Sequence, residues 1–232
     1  LNTKEKITEP VPNQFQRWYS AEYINPTDLV VSAAVRGSSD IFLYFTLTRQ
    51  SQRLTNDFWD DLDATYVNVH GKSGIMFSSN RADSLNIKMG LDTVLPILNY
   101  DIFWLDLDNK KAKELVRVTN TPFIDERSPV GIDETWFAFT TDETGVFNRK
   151  TGYLEDYIHH FENIITFEDD TEMRLHADSV IKEKLDSIAY SKIKSITPDT
   201  IYKIRAINHF NSNPFDNFFK DFCAFFFYYR NS

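Results

Sequence analysis

Side chains able to hold a metal or work as a base fall in a few short stretches of this sequence. His159-His160, with Glu162 and His176, is the cluster most like a ligand set. Adjacent histidines point in different directions on either a helix or a strand, so they rarely share one ion, and no His-Glu-x-x-His spacing occurs. Surface or loop histidines are the expectation. The acidic groups Asp60-Asp61-Asp63 and Glu168-Asp169-Asp170-Glu172 offer the oxygens that calcium prefers. Both lack the central Gly and terminal Glu of an EF-hand loop. Asp60 and Asp61 are expected to cap turns or accept backbone N–H bonds.

Nucleophilic chemistry has less support. No Gly-x-Ser-x-Gly elbow is present. Cys223 sits among phenylalanines, surroundings that raise a thiol's pKa and leave it inert. With 7 Gly in the chain, a phosphate-cradling loop is not expected. Pairs of carboxylates say little where Asp and Glu number 34. The expectation is a protein that is not an enzyme and that carries no cofactor and no metal.

The elements that would position any site read as β. Aromatics make up 15% of the 232 residues, with 20 Phe and 11 Tyr, and such side chains suit pleated, half-buried surfaces. Charged residues, 25% of the chain, are mixed in sign, as on an ordinary folded surface. The net charge of −9 argues against nucleic acid and against anionic membrane surfaces, which both need clustered Lys and Arg. A single cysteine excludes an internal disulfide. No apolar run approaches the ~20 residues that span a bilayer. The chain opens at Leu1 without a signal-peptide pattern, as expected of a mature or trimmed product.

A repeat organises the first half. Asp40-Ile41-Phe42-Leu43-Tyr44 returns as Asp101-Ile102-Phe103-Trp104-Leu105, and Arg53-Leu54-Thr55-Asn56 returns as Arg117-Val118-Thr119-Asn120. Acidic turns follow both, at Asp60 to Asp63 and at Asp125-Glu126. The apolar run Gly74 to Arg81 is echoed by Thr135 to Thr141 and preceded by Leu29 to Arg36. Each unit reads as strand, turn, strand, then Leu-Thr-Asn and an acidic loop. In the second unit the hairpin is interrupted by an insertion, Ala82 to Asn99, and insertions in repeat proteins map to loops, often on a binding face.

These motifs resemble the TolB-like propeller repeat family. Phe77-Ser78-Ser79-Asn80-Arg81, Ser39-Asp40-Ile41-Phe42-Leu43-Tyr44 and Arg53-Leu54-Thr55-Asn56-Asp57 carry the likeness, which covers residues 26–149. The family's Ser-Pro-Asp-Gly turn is replaced by Val69 to Gly74 and by Val130 to Glu134. The resemblance implies a mainly β chain: a partial or complete β-propeller built of TolB-like blades, with a less regular C-terminal region. Residues 1–25 are expected as a lead-in strand or linker, 26–150 as blades, and 151–232 as diverged blades or a mixed α/β region. About three partial blades are visible, where a propeller takes four to eight.

Within the second half, Tyr153 to Phe167 suits an amphipathic helix or a strand pair. Glu172 to Lys194 is richer in helix formers, ending at Pro198, and Ile201 to Ile207 alternates as a strand does. The tail from Phe215 to Arg230 reads either as a buried element or as a docking segment.

The resemblance further implies a non-enzymatic scaffold of the periplasm or cell envelope that presents propeller loops to a protein partner, with no nucleic acid. The alternative is a structural subunit of a larger envelope secretion or assembly complex. A propeller domain of a serine peptidase or hydrolase ranks third, since the elbow is missing. The contact residues expected are Leu85, Ile87, Met89, Leu91, Leu95 and Ile97 in the insertion, and Phe225, Phe226, Tyr228 and Tyr229 in the tail.

Overall fold

The computed structural model describes residues 14–69, 71–86, 99–108, 114–179, 181–184 and 190–209. The described residues are mainly β, in antiparallel sheets of four or five strands. β1 (Arg17–Tyr23), β2 (Asp28–Val35), β3 (Ser38–Phe45) and β4 (Gln50–Arg53) form one sheet in chain order. β5 (Asp61–Val69), β6 (Lys72–Ser79), β7 (Asp101–Asp106) and β8 (Val116–Arg117) form a second in the same order. β9 (Glu126–Gly131) and β10 (Trp136–Thr141) begin a third, in which β10 pairs with the start of the long β11 (Asn148–Phe167). Among the described residues these sheets close neither a barrel nor a ring.

The first two sheets repeat one hydrogen-bond plan. In the first, Ile41 N–H donates to Thr55 Oγ1 at 3.0 Å, and Leu54 N–H donates to the Ile41 carbonyl at 2.8 Å. In the second, Ile102 N–H donates to Thr119 Oγ1 at 2.8 Å, and Val118 N–H donates to the Ile102 carbonyl at 2.8 Å. The threonine hydroxyl thus satisfies the strand N–H where the outer strand has ended, which is why the residue after the Leu or Val is Thr in both copies. Sequence equivalence is matched by spatial register, since Ser32 stands opposite Ile41 and Ser78 opposite Ile102. The first strand of all three sheets carries a bulge, between Trp18 and Ser20, Leu62 and Thr65, and opposite Ala138 to Thr140. Asp63 and Ser128, at matching places in the latter two, both have positive φ, 56° and 52°.

Strands β2 and β3 are buried on both faces, which explains their nearly unbroken apolar runs. On one face Val30, Ile41, Leu43 and Leu54 pack with Ile75, Phe77, Phe103 and Leu105 of the second sheet. On the other, Val31, Ala33, Phe42 and Tyr44 pack under Phe15. Burying each large side chain contributes about 1.5–3 kcal/mol. Tight packing also fixes Gly74, where a Cβ would lie 1.9 Å from Trp104 Nε1. The β2–β3 hairpin turns on Arg36 and Gly37, both at positive φ (55° and 91°), the pattern of a two-residue type I′ turn.

The chain divides into two compact units, and residues Glu155–Arg205 form the second. Here β11 pairs with β12 (Glu172–His176), from Glu162 opposite His176 to Thr166 opposite Glu172, and β13 (Ile193–His209) also pairs with β11. Tyr153 to Phe167 is one continuous strand, neither a helix nor a strand pair. Of the helix-rich reading of Glu172 to Lys194, α1 (Ile181–Lys184) and residues 190–191 are helical, 172–176 and 193–194 are strand, and residues 185–189 lie outside the described residues. Met173 and Leu175 alternate with exposed neighbours, so strand pairing outweighs helix propensity there. Pro198 does not end an element but lies inside β13.

Candidate partner-binding loop face

The loops on one end of the first unit are rooted on buried charge. Asp40 opens the Asp-Ile-Phe motif on β3 and its side chain is 0% exposed, ion-paired to Arg53 from β4. Asp57, in the β4–β5 connection, and Asp61, the first residue of β5, come to the same place, with carboxylate oxygens of all three within 4.8 Å of one another. Arg81, just past β6, fills the centre. Its Nη2 donates to both Asp61 oxygens at 2.8 Å, its Nε to Ser79 Oγ at 2.9 Å, and its Nη1 to the Leu85 carbonyl at 2.9 Å. Asp57 Oδ2 lies 3.3 Å from Arg81 Nη2, an ion-pair contact without hydrogen-bond geometry.

Three carboxylates face two guanidinium groups, and burial decides how the excess is resolved. Desolvation, reinforced by the neighbouring Asp61 charge, pushes Asp57 up to about 7. Desolvation lifts Asp40 to about 6 against the pull of Arg53. Burial works against the Arg81 charge, but Asp61 and Asp57 offset this and hold its pKa above the ordinary value. A proton on Asp57 therefore balances the cluster near neutral pH. Arginine already fills the cationic role, so this acidic trio is a structural lock rather than a cup for an ion.

A second lock follows the same plan with different residues. Arg117 donates to Asp101 at 2.5 Å, as Arg53 does to Asp40. Glu126, the first residue of β9, takes the place of Asp61, and Thr121 that of Asp57, with Thr121 Oγ1 donating to Glu126 Oε1 at 3.1 Å. The position of Arg81 is occupied by Glu143, so this carboxylate loses its guanidinium. Desolvation raises Glu126 to about 7, and its Oε2 accepts no hydrogen bond.

These locks hold the roots of the loops. Beyond the contact from Arg81 to Leu85, Arg117 donates to the Ala82 carbonyl at 3.2 Å and Asn86 Nδ2 to the Leu54 carbonyl at 3.2 Å. At the far end of the insertion, Asn99 Nδ2 donates to the Thr121 carbonyl at 3.4 Å and Tyr100 N–H to Asp125 Oδ1 at 2.9 Å. The loops before β9 and after β10 are tied together, with Asp125 N–H donating to Asp142 Oδ1 at 2.8 Å and Asp142 N–H to the Asp125 carbonyl at 3.2 Å. The same pairing of loops recurs one unit earlier, where Asp60 N–H donates to Asn80 Oδ1 at 2.8 Å. The acidic turns thus act through backbone N–H groups and arginines. Asp63 likewise accepts from Arg127 Nε at 2.6 Å, and its pKa is lowered because the bonds from Arg127, Ser128 and Ser78 outweigh burial.

On this frame, three large apolar side chains face solvent. Phe123 is 93% exposed, Val146 67% and Phe147 60%, in the two loops that Asp125 and Asp142 tie together. Phe123 also has φ 65°, a left-handed conformation that costs a bulky residue about 1–2 kcal/mol. Of the expected contact residues, Leu85 is described and is 42% exposed. Ile87, Met89, Leu91, Leu95, Ile97, Phe225, Phe226, Tyr228 and Tyr229 lie outside the described residues, as does Cys223. Phe123, Val146 and Phe147 were not legible as contacts, because exposure of an aromatic in a turn has no periodic signature. The one available signal was a Phe directly after Pro122 in an otherwise polar loop.

Among the second unit's acidic residues, Asp169 accepts from Thr171 Oγ1 at 2.6 Å and Thr171 N–H at 3.1 Å, bonds that lower its pKa. This is an Asx turn closing the β11–β12 hairpin. No helix of the described residues is long and apolar enough to cross a membrane. Comparison with protein families, with curated proteins and with solved structures finds no match to this chain.

Proposed function

We propose that this chain is a non-enzymatic binding scaffold of the cell envelope, in which TolB-like blades hold one loop face against a protein partner. Support for the blade reading comes from two four-stranded meanders with the same Asp–Arg and Thr–backbone bonds, each opening on a bulged first strand. The propeller reading requires further blades, supplied by the rest of the protein or by neighbours. The observation that carries the binding reading is the trio Phe123, Val146 and Phe147, exposed on loops whose bases are locked by buried charge. Rigid aromatic anchors lose little entropy on docking and dominate interface energies. Asp60, Asp83, Asp125 and Asp142 lie in the loops of this end, which favours a protein partner with an apolar pocket inside a basic rim.

The test places a photo-crosslinking phenylalanine analogue at Phe123 and, as a control, at Leu47 in the β3–β4 turn at the other end of its sheet. Leu47 is 81% exposed. One protein of fixed stoichiometry should be trapped from envelope extracts at position 123 and not at 47. Phe123→Ser should weaken the purified complex by roughly thirtyfold, as a hot-spot loss of about 2 kcal/mol does. Equal labelling from both positions, or unchanged affinity for the serine variant, refutes the reading.

A further inference from the structure

The turn that carries Phe123 is closed at its base by one carboxyl group. Glu126, 2% exposed, opens β9 where that turn ends. Its N–H donates to the Tyr100 carbonyl at 2.8 Å. Its Oε1 takes the bond from Thr121 Oγ1 across the base of the turn, while its Oε2, equally buried, meets no donor. Within the turn, Ile124 N–H donates to the Thr121 carbonyl at 3.3 Å, and Phe123 stands between them at positive φ.

The charges around Glu126 come from four elements. From β7, Asp101 accepts from Thr121 N–H at 3.1 Å and is ion-paired to Arg117 of β8. From β11, the buried Lys150 is ion-paired to Glu143 in the connection after β10. From β10, the uncharged Thr141 stands opposite Glu126. Along the loops, Asp125 and Asp142 accept from Tyr100 N–H and Asp125 N–H. Each cation here already has its own carboxylate, and Glu126 is the extra one. The first lock meets the same excess with Arg81 at its centre, whereas the second has Glu143 at that place.

Desolvation is the largest effect on Glu126, and with the Asp101 charge it outweighs Thr119, Thr121 and Lys150 to lift the carboxyl to about 7. A neutral Glu126 is tolerated in the closed site. An ionised one holds a charge whose second oxygen is bare, and burying such an oxygen is costly. Water relieves it once the Thr121 bond is released and the turn parts from β9.

We propose that Glu126 is a proton-operated latch on the loop face: protonated, it keeps the Thr121–Asp125 turn closed and Phe123 in place, and ionised, it lets the turn open to water. As regulation of the loop face this rests on the binding reading, but the latch motion belongs to the free chain and is measured without a partner. The folded carboxyl is raised, so the closed form is favoured at low pH and loses that advantage as pH rises through about 7. With the open carboxyl in the ordinary range, linkage raises the opening equilibrium about tenfold between pH 6 and pH 8 and levels it off above that.

The test follows amide hydrogen exchange of the full chain by mass spectrometry at pH 6, 7 and 8, corrected for the intrinsic dependence of exchange on pH. Protection of the peptide spanning 119–126 should fall about tenfold from pH 6 to pH 8. Glu126→Gln cannot ionise and should hold the pH 6 protection throughout. Asp57→Asn, a neutral isostere in the first lock, should leave the tenfold change intact. Circular dichroism checks folding, and if Glu126→Gln unfolds, the carboxyl carbon resonance of wild-type Glu126 decides by titrating together with the loss of protection. Equal protection at pH 6 and pH 8, or a change in Glu126→Gln as large as in the wild type, overturns the latch whatever a crosslinker at position 123 traps. A latch that moves while nothing is trapped there supports this inference and refutes the binding reading alone.

Discussion

Replacing Arg81 with Leu tests the lock beneath the loop face most directly. The guanidinium is fully buried and makes four hydrogen bonds, two of them to Asp61. Its loss leaves the Asp61 carboxylate, itself 0% exposed, without a counterion. Breaking a buried pair in this way costs about 3–5 kcal/mol. The Ser79 hydroxyl orphaned with it is also buried, which adds to this loss rather than offsetting it. For a chain of this size each kcal/mol lowers Tm by about 2–4 °C, so a loss near 4 kcal/mol is a fall of roughly 8–16 °C. Two further readouts separate the charge argument from simple loss of packing. The defect should shrink between pH 8 and pH 5, because the stranded carboxylate then takes up a proton. Arg81→Leu combined with Asp61→Leu should recover most of the stability, since the penalty lies in the unpaired charge. Denaturant titration at both pH values measures all of this. A single variant losing under about 1 kcal/mol at pH 8, or a double variant no better than the single, refutes the reasoning.

Three more outcomes follow from the same geometry. Glu126 and Asp57 have folded pKa values raised to about 7, and Asp40 to about 6. Their contribution is therefore fully present below the ordinary carboxylate range near 4 and is lost as pH rises through 6 to 7. The wild-type chain should be more stable at pH 5.5 than at pH 8 in denaturant titration, and Glu126→Gln should flatten that slope while gaining about 1–3 kcal/mol at pH 8. Gly74→Ala drives a methyl into the Trp104 ring and should cost at least about 1–3 kcal/mol by thermal unfolding, with a shifted tryptophan emission. Phe123→Gly relieves the left-handed backbone at a site without packing and should stabilise the free chain by up to about 1 kcal/mol while removing the proposed anchor.

Much of the fold was legible because it is local. Asp40-Ile41-Phe42 and Asp101-Ile102-Phe103 are copies whose side chains do the same work, and the Thr after Leu54 or Val118 bonds the same backbone N–H. Alternation and turn residues placed β2, β3, β6 and β7 for the same reason: strand period and hairpin chemistry act over a handful of residues. The second half was harder to read. Helix propensity gave way at Glu172 to His176 to pairing of β12 with β11, and Pro198 was absorbed into β13. Both outcomes depend on partners distant in sequence, which propensity does not see.

The site divides in the same way. The amino-acid sequence alone determined the repeated strands, the acidic turns and the position of the insertion, since these are encoded within each unit. Only the tertiary structure decided that Arg81 would sit among Asp40, Asp57 and Asp61, that Phe123 and Phe147 would share one face, and that Glu126 would be buried with one oxygen unpaired. Burial and the low dielectric it brings are properties of the packed molecule. An aspartate in a sequence has no environment until a second sheet covers it.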